Sequence, residues 1–137
     1  MADLSITAAN FLPSSAAQYE DITAGATLAR GQLYYLDSAD DYKAKLCDAD
    51  AQASARIRGI CATDIASGQR GKGVTYDPAL VIGATVVAGT PYFASTGAGG
   101  VCPVADLGSG DYTSLAGLGI STTAIFFAPI ISDVVRA

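Results

Sequence analysis

Short apolar segments alternate along the chain with clusters of glycine, aspartate and serine. In residues 42–47 and 56–62, basic side chains alternate with apolar ones, which is the two-residue period of a half-buried strand. Tyrosine, valine and isoleucine favour strands, whereas glycine and aspartate favour turns. The pattern predicts an all-β protein with a turn at residues 37–41 and strands over residues 32–36, 42–47, 56–62, 73–76, 80–87, 91–93, 112–115 and 124–127.

Two segments depart from this strand pattern. Residues 49–55 are rich in alanine and contain glutamine, and they predict a short helix. Residues 1–21 show no lasting period, and we expect an extended N-terminal arm that lies on a neighbouring subunit. A frayed terminus is the alternative, because chain ends are disordered unless they are tied down. Phe11, Leu12 and Tyr19 are the candidate contact residues of the arm, since they are too apolar for a fully solvated tail.

Part of the sequence recurs. The tripeptide Gly-Ala-Thr at residues 25–27 returns at residues 83–85, and Tyr34 returns as Tyr92 at the same offset of 58 residues. Chance recurrence in a chain rich in glycine and alanine is the alternative to duplication. Two copies are too few for a solenoid, so they would close into one jelly-roll-like β-sandwich or barrel. We therefore expect a single domain over residues 22–137, with duplicated units over 22–79 and 80–137.

Composition narrows the possible functions. The 137 residues are 50% hydrophobic and 15% charged, which excludes a disordered protein. A net charge of −5 opposes general nucleic-acid binding. Histidine, the commonest general base and metal ligand, is absent from the sequence, so we expect no enzyme. Few charges and many apolar residues predict that protein contacts cover part of the surface, as in a homo-oligomer or an assembly subunit.

The sequence predicts a protein made in the cytoplasm. We expect no secretory signal and no membrane span, because the N-terminus lacks basic and apolar regions and the longest apolar stretches fall short of about 20 residues. Cys47, Cys61 and Cys102 are widely spaced and follow no metal-binding pattern. We expect all three to be reduced and buried.

One glycine-rich segment invites a chemical interpretation. Residues 68–73, which include Arg70 and Lys72, resemble a phosphate-binding loop, but glycine follows the lysine where that motif requires serine or threonine. We interpret the segment as a flexible basic loop whose two cations suit an acidic protein surface. The acidic residues 37–41 and 48–50 lack the spacing of a calcium loop and are typical of turns. We expect no catalytic residue, cofactor or metal.

Three segments rich in glycine and apolar residues follow the N-terminal stretch, over residues 24–34, 58–63 and 81–93. In these segments the chain resembles the small capsid cement (decoration) proteins of tailed bacteriophages. The resemblance implies a β-rich virion protein without catalytic residues. It would form homodimers or homotrimers, bind the outer surface of the capsid and stabilise the shell by bridging major capsid protein subunits.

A ligand- or carbohydrate-binding β-sandwich module of a phage or bacterial surface structure is the alternative function. Such a module would need an exposed aromatic platform beside asparagine, aspartate or glutamine. The chain has no tryptophan, and Asn10 is its single asparagine. A cement protein therefore fits the composition better.

Overall fold

The computed structural model of the chain describes residues 3–136. Residues 1, 2 and 137, which belong to the predicted arm and domain, lie outside the described residues. Within that range the chain is nearly all-β, and its curled antiparallel sheet forms a half-barrel, so the predicted fold class is confirmed. The strands are β1 (Gln18–Thr23), β2 (Leu33–Asp37), β3 (Lys43–Leu46), β4 (Gly59–Cys61), β5 (Arg70–Val81), β6 (Pro91–Ala94), β7 (Val101–Pro103), β8 (Leu115–Gly119) and β9 (Ala124–Ile130).

One long strand joins the two halves of the sheet. The strand order is β3-β2-β4-β5-β9-β8-β6-β7, and β1 pairs with β5 beside this path. The first part of β5 pairs with β1 and β4, and its last part pairs with β9. The register shifts between Asp77 and Leu80, around Pro78, because proline cannot donate to the ladder. β5 therefore belongs to a first unit (β1 to β4 and residues 70–76) and to a second unit (residues 77–81 and β6 to β9).

The strand pairing of the first unit recurs in the second. β2 pairs with β3 and β4, and β4 pairs with β5. In the same way β6 pairs with β7 and β8, and β8 pairs with β9. The registers agree as well, since Tyr34 faces Gly59 and Tyr92 faces Gly117. The repeated tyrosines thus occupy equivalent positions in the two units.

A left-handed glycine precedes β2 and β6 at equivalent positions. Gly31 has a φ of 89° and Gly89 a φ of 83°, a conformation that glycine adopts without the clash of a Cβ atom. The amide of Gly31 donates to the carbonyl of Cys61 at 2.9 Å, and the amide of Gly89 donates to the carbonyl of Gly119 at 2.7 Å. Each glycine therefore fixes the turn that leads into the central strand of its unit.

One face of the sheet in the first unit packs against one face of the sheet in the second unit. Leu33, Ile60 and Val74, which we call the buried row, lie side by side across β2, β4 and β5 and are fully buried. The buried row shares one core cluster with side chains of the second unit, among them Leu80, Tyr92, Ala94, Ala116, Ile125 and Phe127. A separate cluster, which includes Ile22, Leu28, Tyr34, Ala44, Cys61 and Ile65, fills the other face of the first unit. Both faces of the first unit are therefore covered.

Several local predictions are wrong, among them the strand over residues 80–87, which ends at Val81, and the strand over residues 112–115, which shares only Leu115 with β8. Residues 49–55 form turns instead of a helix, because so short a segment is not stable as an isolated helix. Tertiary contacts decide its path, since the amide of Ala49 donates to the carbonyl of Ser95 at 3.0 Å. Residues 70–73 belong to β5 instead of a flexible loop, because β1 pairs along them.

The N-terminal segment is part of the folded domain. Phe11 is fully buried in the main core. The amide of Leu4 donates to the carbonyl of Val101, and the amide of Thr7 donates to the carbonyl of Gly83, both at 2.8 Å. Residues 3–21 are therefore not an arm separate from the domain, because these contacts bind the segment to its own chain. No helix within the described residues is long and apolar enough to span a bilayer.

Candidate protein contact surfaces

The five residues predicted as contacts fall in three different places. Phe11 lies in the core, so its prediction as an intermolecular contact is wrong: its own chain already covers the ring. Tyr19, Arg70 and Lys72 lie together on the two-stranded ribbon of β1 and β5. Leu12 is 62% exposed and lies at the other end of β5.

The ribbon of β1 and β5 presents a mixed aromatic and charged surface. Asp21 pairs with Lys72, and Thr23 pairs with Arg70. Residues paired across strands project to the same side of the sheet. Tyr19 projects to that side as well, because it lies two positions before Asp21 in the same strand. We call Tyr19, Asp21, Arg70 and Lys72 the ribbon face, and all four side chains are exposed.

An ion pair organises the ribbon face. The Nζ of Lys72 lies 2.5 Å from an Oδ1 oxygen of Asp21. This ammonium, with a smaller contribution from Arg70, holds the pKa of Asp21 below its ordinary value. Because both partners are exposed to solvent, water and salt screen the pair. The ion pair can therefore open when a partner offers other contacts to Lys72.

The second unit exposes an apolar sheet face. Leu118 of β8 pairs with Pro91 of β6 on one side and with Phe126 of β9 on the other. Leu118, Ile120 and Phe126 are 43%, 46% and 38% exposed. The ring of Tyr76 meets the ring of Phe126 edge to face, with centroids 5.6 Å apart. We call Pro91, Leu118, Ile120 and Phe126 the outer face, and Tyr76 at the end of the first unit borders it.

The outer face is free of charge along its strands. The strands β6, β8 and β9 contain no Asp, Glu, Lys or Arg. Leu12 extends the face at its margin, because it pairs with Val81, and Val81 pairs with Ala124 of β9. Contiguous apolar surface of this kind is uncommon on a protein that works alone. The outer face is therefore a candidate surface for another protein.

The alternative of a carbohydrate-binding module finds little support in the geometry. A sugar platform needs a flat exposed ring, whereas the rings of Tyr76 and Phe126 cross at 85°. A cleft of about 410 Å³ between the N-terminal segment and the second unit has a mixed lining without an aromatic ring: Ser5, Thr7, Asn10, Val81, Gly83, Ala84, Thr85 and Thr123. The aromatic pair Tyr76 and Phe126 and the amide of Asn10 therefore do not form one sugar-binding site.

The cysteines do not form a reactive centre. All three thiols are free and buried, as predicted. Burial raises the pKa of Cys61 and of Cys102 to about 12 and the pKa of Cys47 well above its ordinary value. Across residues 3–136, no group of three or more Cys, Asp or Glu side chains could hold a metal ion.

Two arginines of the first unit are already paired with carboxylates of their own chain. Arg58 binds the carboxylate of Glu20 at 2.7 Å, and Arg56 binds the carboxylate of Asp133 at 2.9 Å. The same Glu20 accepts a hydrogen bond from the hydroxyl of Tyr34 at 2.9 Å. Both arginines are therefore paired within their own chain, and because their side chains are half-exposed each ion pair adds little to stability.

The sequence pattern does not reveal the outer face. The run from residue 124 to residue 130 is almost wholly apolar, so it predicts a strand buried on both sides. Only the packing of the two units shows that one side of β9 has no cover within the described chain. Comparison with known proteins adds no identification, since no family model, curated protein or solved structure matches the chain.

Proposed function

We propose that the protein is a structural virion protein that binds the outer surface of a bacteriophage capsid and stabilises the shell by bridging major capsid protein subunits. The observation that carries this proposal is the presence of two separate candidate contact surfaces, the ribbon face on the first unit and the outer face on the second. A bridging protein must hold two partners at once, and a single patch cannot do so. The resemblance to capsid cement proteins supports the same function.

The ribbon face is the surface that we assign to the shell. Tyrosine and arginine are enriched among the residues that dominate protein interfaces, and Tyr19 and Arg70 lie on the same side of the ribbon. The chain has eight lysines and arginines against thirteen acidic residues, and two of the eight cations lie on the ribbon face. An acidic patch on the shell would attract Arg70 and Lys72. This attraction would turn the ribbon face towards the shell and increase the association rate.

Binding of this kind stabilises a shell by mass action. A protein that binds the assembled state alone stabilises each site by about 2.7 kcal/mol at a free concentration one hundred times its dissociation constant. Two linked footprints add effective concentration, which raises the overall affinity by about 10²–10⁴. Several weak contacts, each without an extensive charge network, are therefore enough for a cement protein.

The test adds purified protein to undecorated capsids and measures stoichiometric binding and resistance of the shell to heat. We expect saturable binding that survives moderate salt, and decorated capsids that break at a higher temperature than bare ones. Arg70→Glu should slow association several-fold without altering the urea midpoint of the free protein. Lys43→Glu, which makes the same change of net charge on the edge strand β3, is the matched control. Unchanged shell stability at saturation would refute the proposed function.

A further inference from the structure

A cleft between the two units, which we call the inter-unit cleft, is lined by two arginines among apolar side chains. Its volume is about 470 Å³. Leu36 and Thr75 come from β2 and β5 of the first unit, and Pro129 comes from β9 of the second. The remaining lining residues are Arg56, Ile57, Arg58 and Ile131. Ligand sites are frequent in concave places between packed units of structure, so the inter-unit cleft is a candidate binding site.

The two arginines are held in place by carboxylates from distant parts of the chain. The Nε and Nη2 atoms of Arg58 bind Glu20 at 3.0 and 2.7 Å. The same two atoms of Arg56 bind Asp133 at 3.0 and 2.9 Å. Two-point binding of this kind fixes the orientation of a planar guanidinium group. The side chains of Arg56 and Arg58 are nevertheless 50% and 54% exposed, so both remain accessible to a partner.

Each guanidinium keeps donors that its own carboxylate does not use. An arginine carries five N–H donors, and the contacts with Glu20 and Asp133 engage the edge formed by Nε and Nη2. Within residues 3–136, the Nη1 nitrogen of each arginine has no hydrogen-bond partner. A second carboxylate can therefore bind the other edge of the group without displacing Glu20 or Asp133.

The lining of the cleft defines the chemistry of its ligand. Its walls are aliphatic, and the two arginines are its only charged lining residues. A matching ligand combines an acidic group with aliphatic carbon, as an acidic peptide motif does, and arginine clusters recognise such motifs. A single carboxylate suits the site better than a phosphate dianion, because Glu20 and Asp133 already place two negative charges beside the guanidinium groups.

We propose that the inter-unit cleft binds an acidic peptide segment of another protein, with one carboxylate between Arg56 and Arg58 and the neighbouring aliphatic side chains against Leu36 and Ile131. The internal ion pairs then have a role beyond their small contribution to stability, since they orient the two guanidinium groups for this ligand. No lining residue of the cleft belongs to the ribbon face or to the outer face. The proposal is therefore independent of capsid binding.

A nuclear magnetic resonance titration of the isotope-labelled full chain tests the ligand chemistry. The probe is the peptide acetyl-Leu-Glu-Leu-amide, at a fixed ionic strength of about 0.15 M because salt screens charges. We expect saturable shifts of the backbone amides of residues 56–58 and 131 and of the Nε–H signals of Arg56 and Arg58. The peptide acetyl-Leu-Gln-Leu-amide, which has nearly the same shape without the charge, and inorganic phosphate should each bind at least several-fold more weakly.

Conservative variants test the role of the guanidinium groups. Arg56→Lys and Arg58→Lys keep the positive charge and the internal partner but lose the second edge, so each should weaken binding of the glutamate peptide about 10-fold. Lys43→Arg, an exchange of the same kind on β3, is the matched control and should leave the affinity unchanged. Equal urea midpoints establish that the variants fold, and the comparison of ligands on the wild type needs no variant.

Four results would each overturn the proposal. They are the absence of saturable shifts with the glutamate peptide, equal affinity for the glutamine peptide, equal affinity for phosphate, and unchanged affinity in both lysine variants. None of these results bears on the binding of capsids by the ribbon face. Conversely, a protein that binds the glutamate peptide as expected but leaves capsids undecorated would refute the proposed function and leave the peptide site standing.

Discussion

Replacement of Phe11 by alanine should destabilise the protein more than any other single change in the N-terminal segment. Phe11 is fully buried in the main core, and deletion of a buried phenylalanine ring costs about 3–5 kcal/mol. The guanidinium of Arg30 also lies 5.6 Å from the centre of this ring, a contact worth about 0.5–1 kcal/mol at an exposed site. The free energy of unfolding of a whole domain is about 5–15 kcal/mol, so the variant should lose a large fraction of it.

Urea unfolding followed by far-ultraviolet circular dichroism measures this loss. We expect the midpoint to fall strongly at an unchanged slope, because the variant removes contacts without changing the surface that unfolding exposes. Leu12→Ala is the matched control: the side chain is the next along the chain and is 62% exposed. Its free energy of unfolding should change by less than about 0.5 kcal/mol.

The result that would refute this reasoning is a Phe11→Ala protein within about 1 kcal/mol of the wild type, the mean effect of an ordinary substitution. Such a protein would show that the ring does not occupy the core in solution. The N-terminal segment would then be free to lie on a neighbouring subunit. The two outcomes therefore separate an integrated segment from an arm.

Three further predictions concern packing, thiol chemistry and pH. Gly117→Ala should destabilise the fold by about 1–3 kcal/mol, because the new Cβ would lie 2.3 Å from the carbonyl oxygen of Phe126; Gly108→Ala, whose nearest atom is 3.4 Å away, should leave the urea midpoint nearly unchanged. The three thiols should react with an aromatic disulfide reagent only after unfolding, because burial raises their pKa values, and rapid reaction in native buffer would contradict the assigned core. Arg56 holds the pKa of Asp133 below its ordinary value, so Arg56→Met should raise that pKa in a nuclear magnetic resonance titration. The pKa of Asp133 is lower in the folded protein than in the unfolded one. The stabilisation by the Arg56–Asp133 pair is therefore present above the unfolded pKa and is lost as pH falls through the folded pKa.

Local patterns were enough to predict the fold class and most strands. The alternation of lysine with apolar residues at 43–46 marks β3, and the aspartates before it mark the turn, since both signals act within a few residues. The position of the N-terminal segment depends instead on distant contacts. A Cβ atom on Gly83 would lie 2.6 Å from the carbonyl oxygen of Thr7, so the segment can approach only because glycine occurs some 76 positions later in the chain. No pattern within residues 1–21 carries that information.

The outer face shows the limit of sequence analysis most clearly. Ile60 and Leu118 occupy equivalent positions in β4 and β8, and both are branched aliphatic residues in short apolar strands. Ile60 is fully buried, whereas Leu118 is 43% exposed. The difference arises from the packing of the two units, because the second unit covers the buried row of the first, whereas nothing in residues 3–136 covers the outer face of the second. Local periodicity therefore predicts a core residue at both positions.

Heating of decorated capsids tests the bridging claim most directly. Capsids are saturated with wild-type protein or with Leu118→Glu, and the temperature at which the shell breaks is measured for each. The account predicts that the wild type raises this temperature well above that of bare capsids. The variant keeps an intact ribbon face but cannot link two footprints. It should therefore bind the capsid and raise the temperature of shell breakage much less than the wild type does. Equal stabilisation by both proteins, or none by the wild type, would contradict bridging.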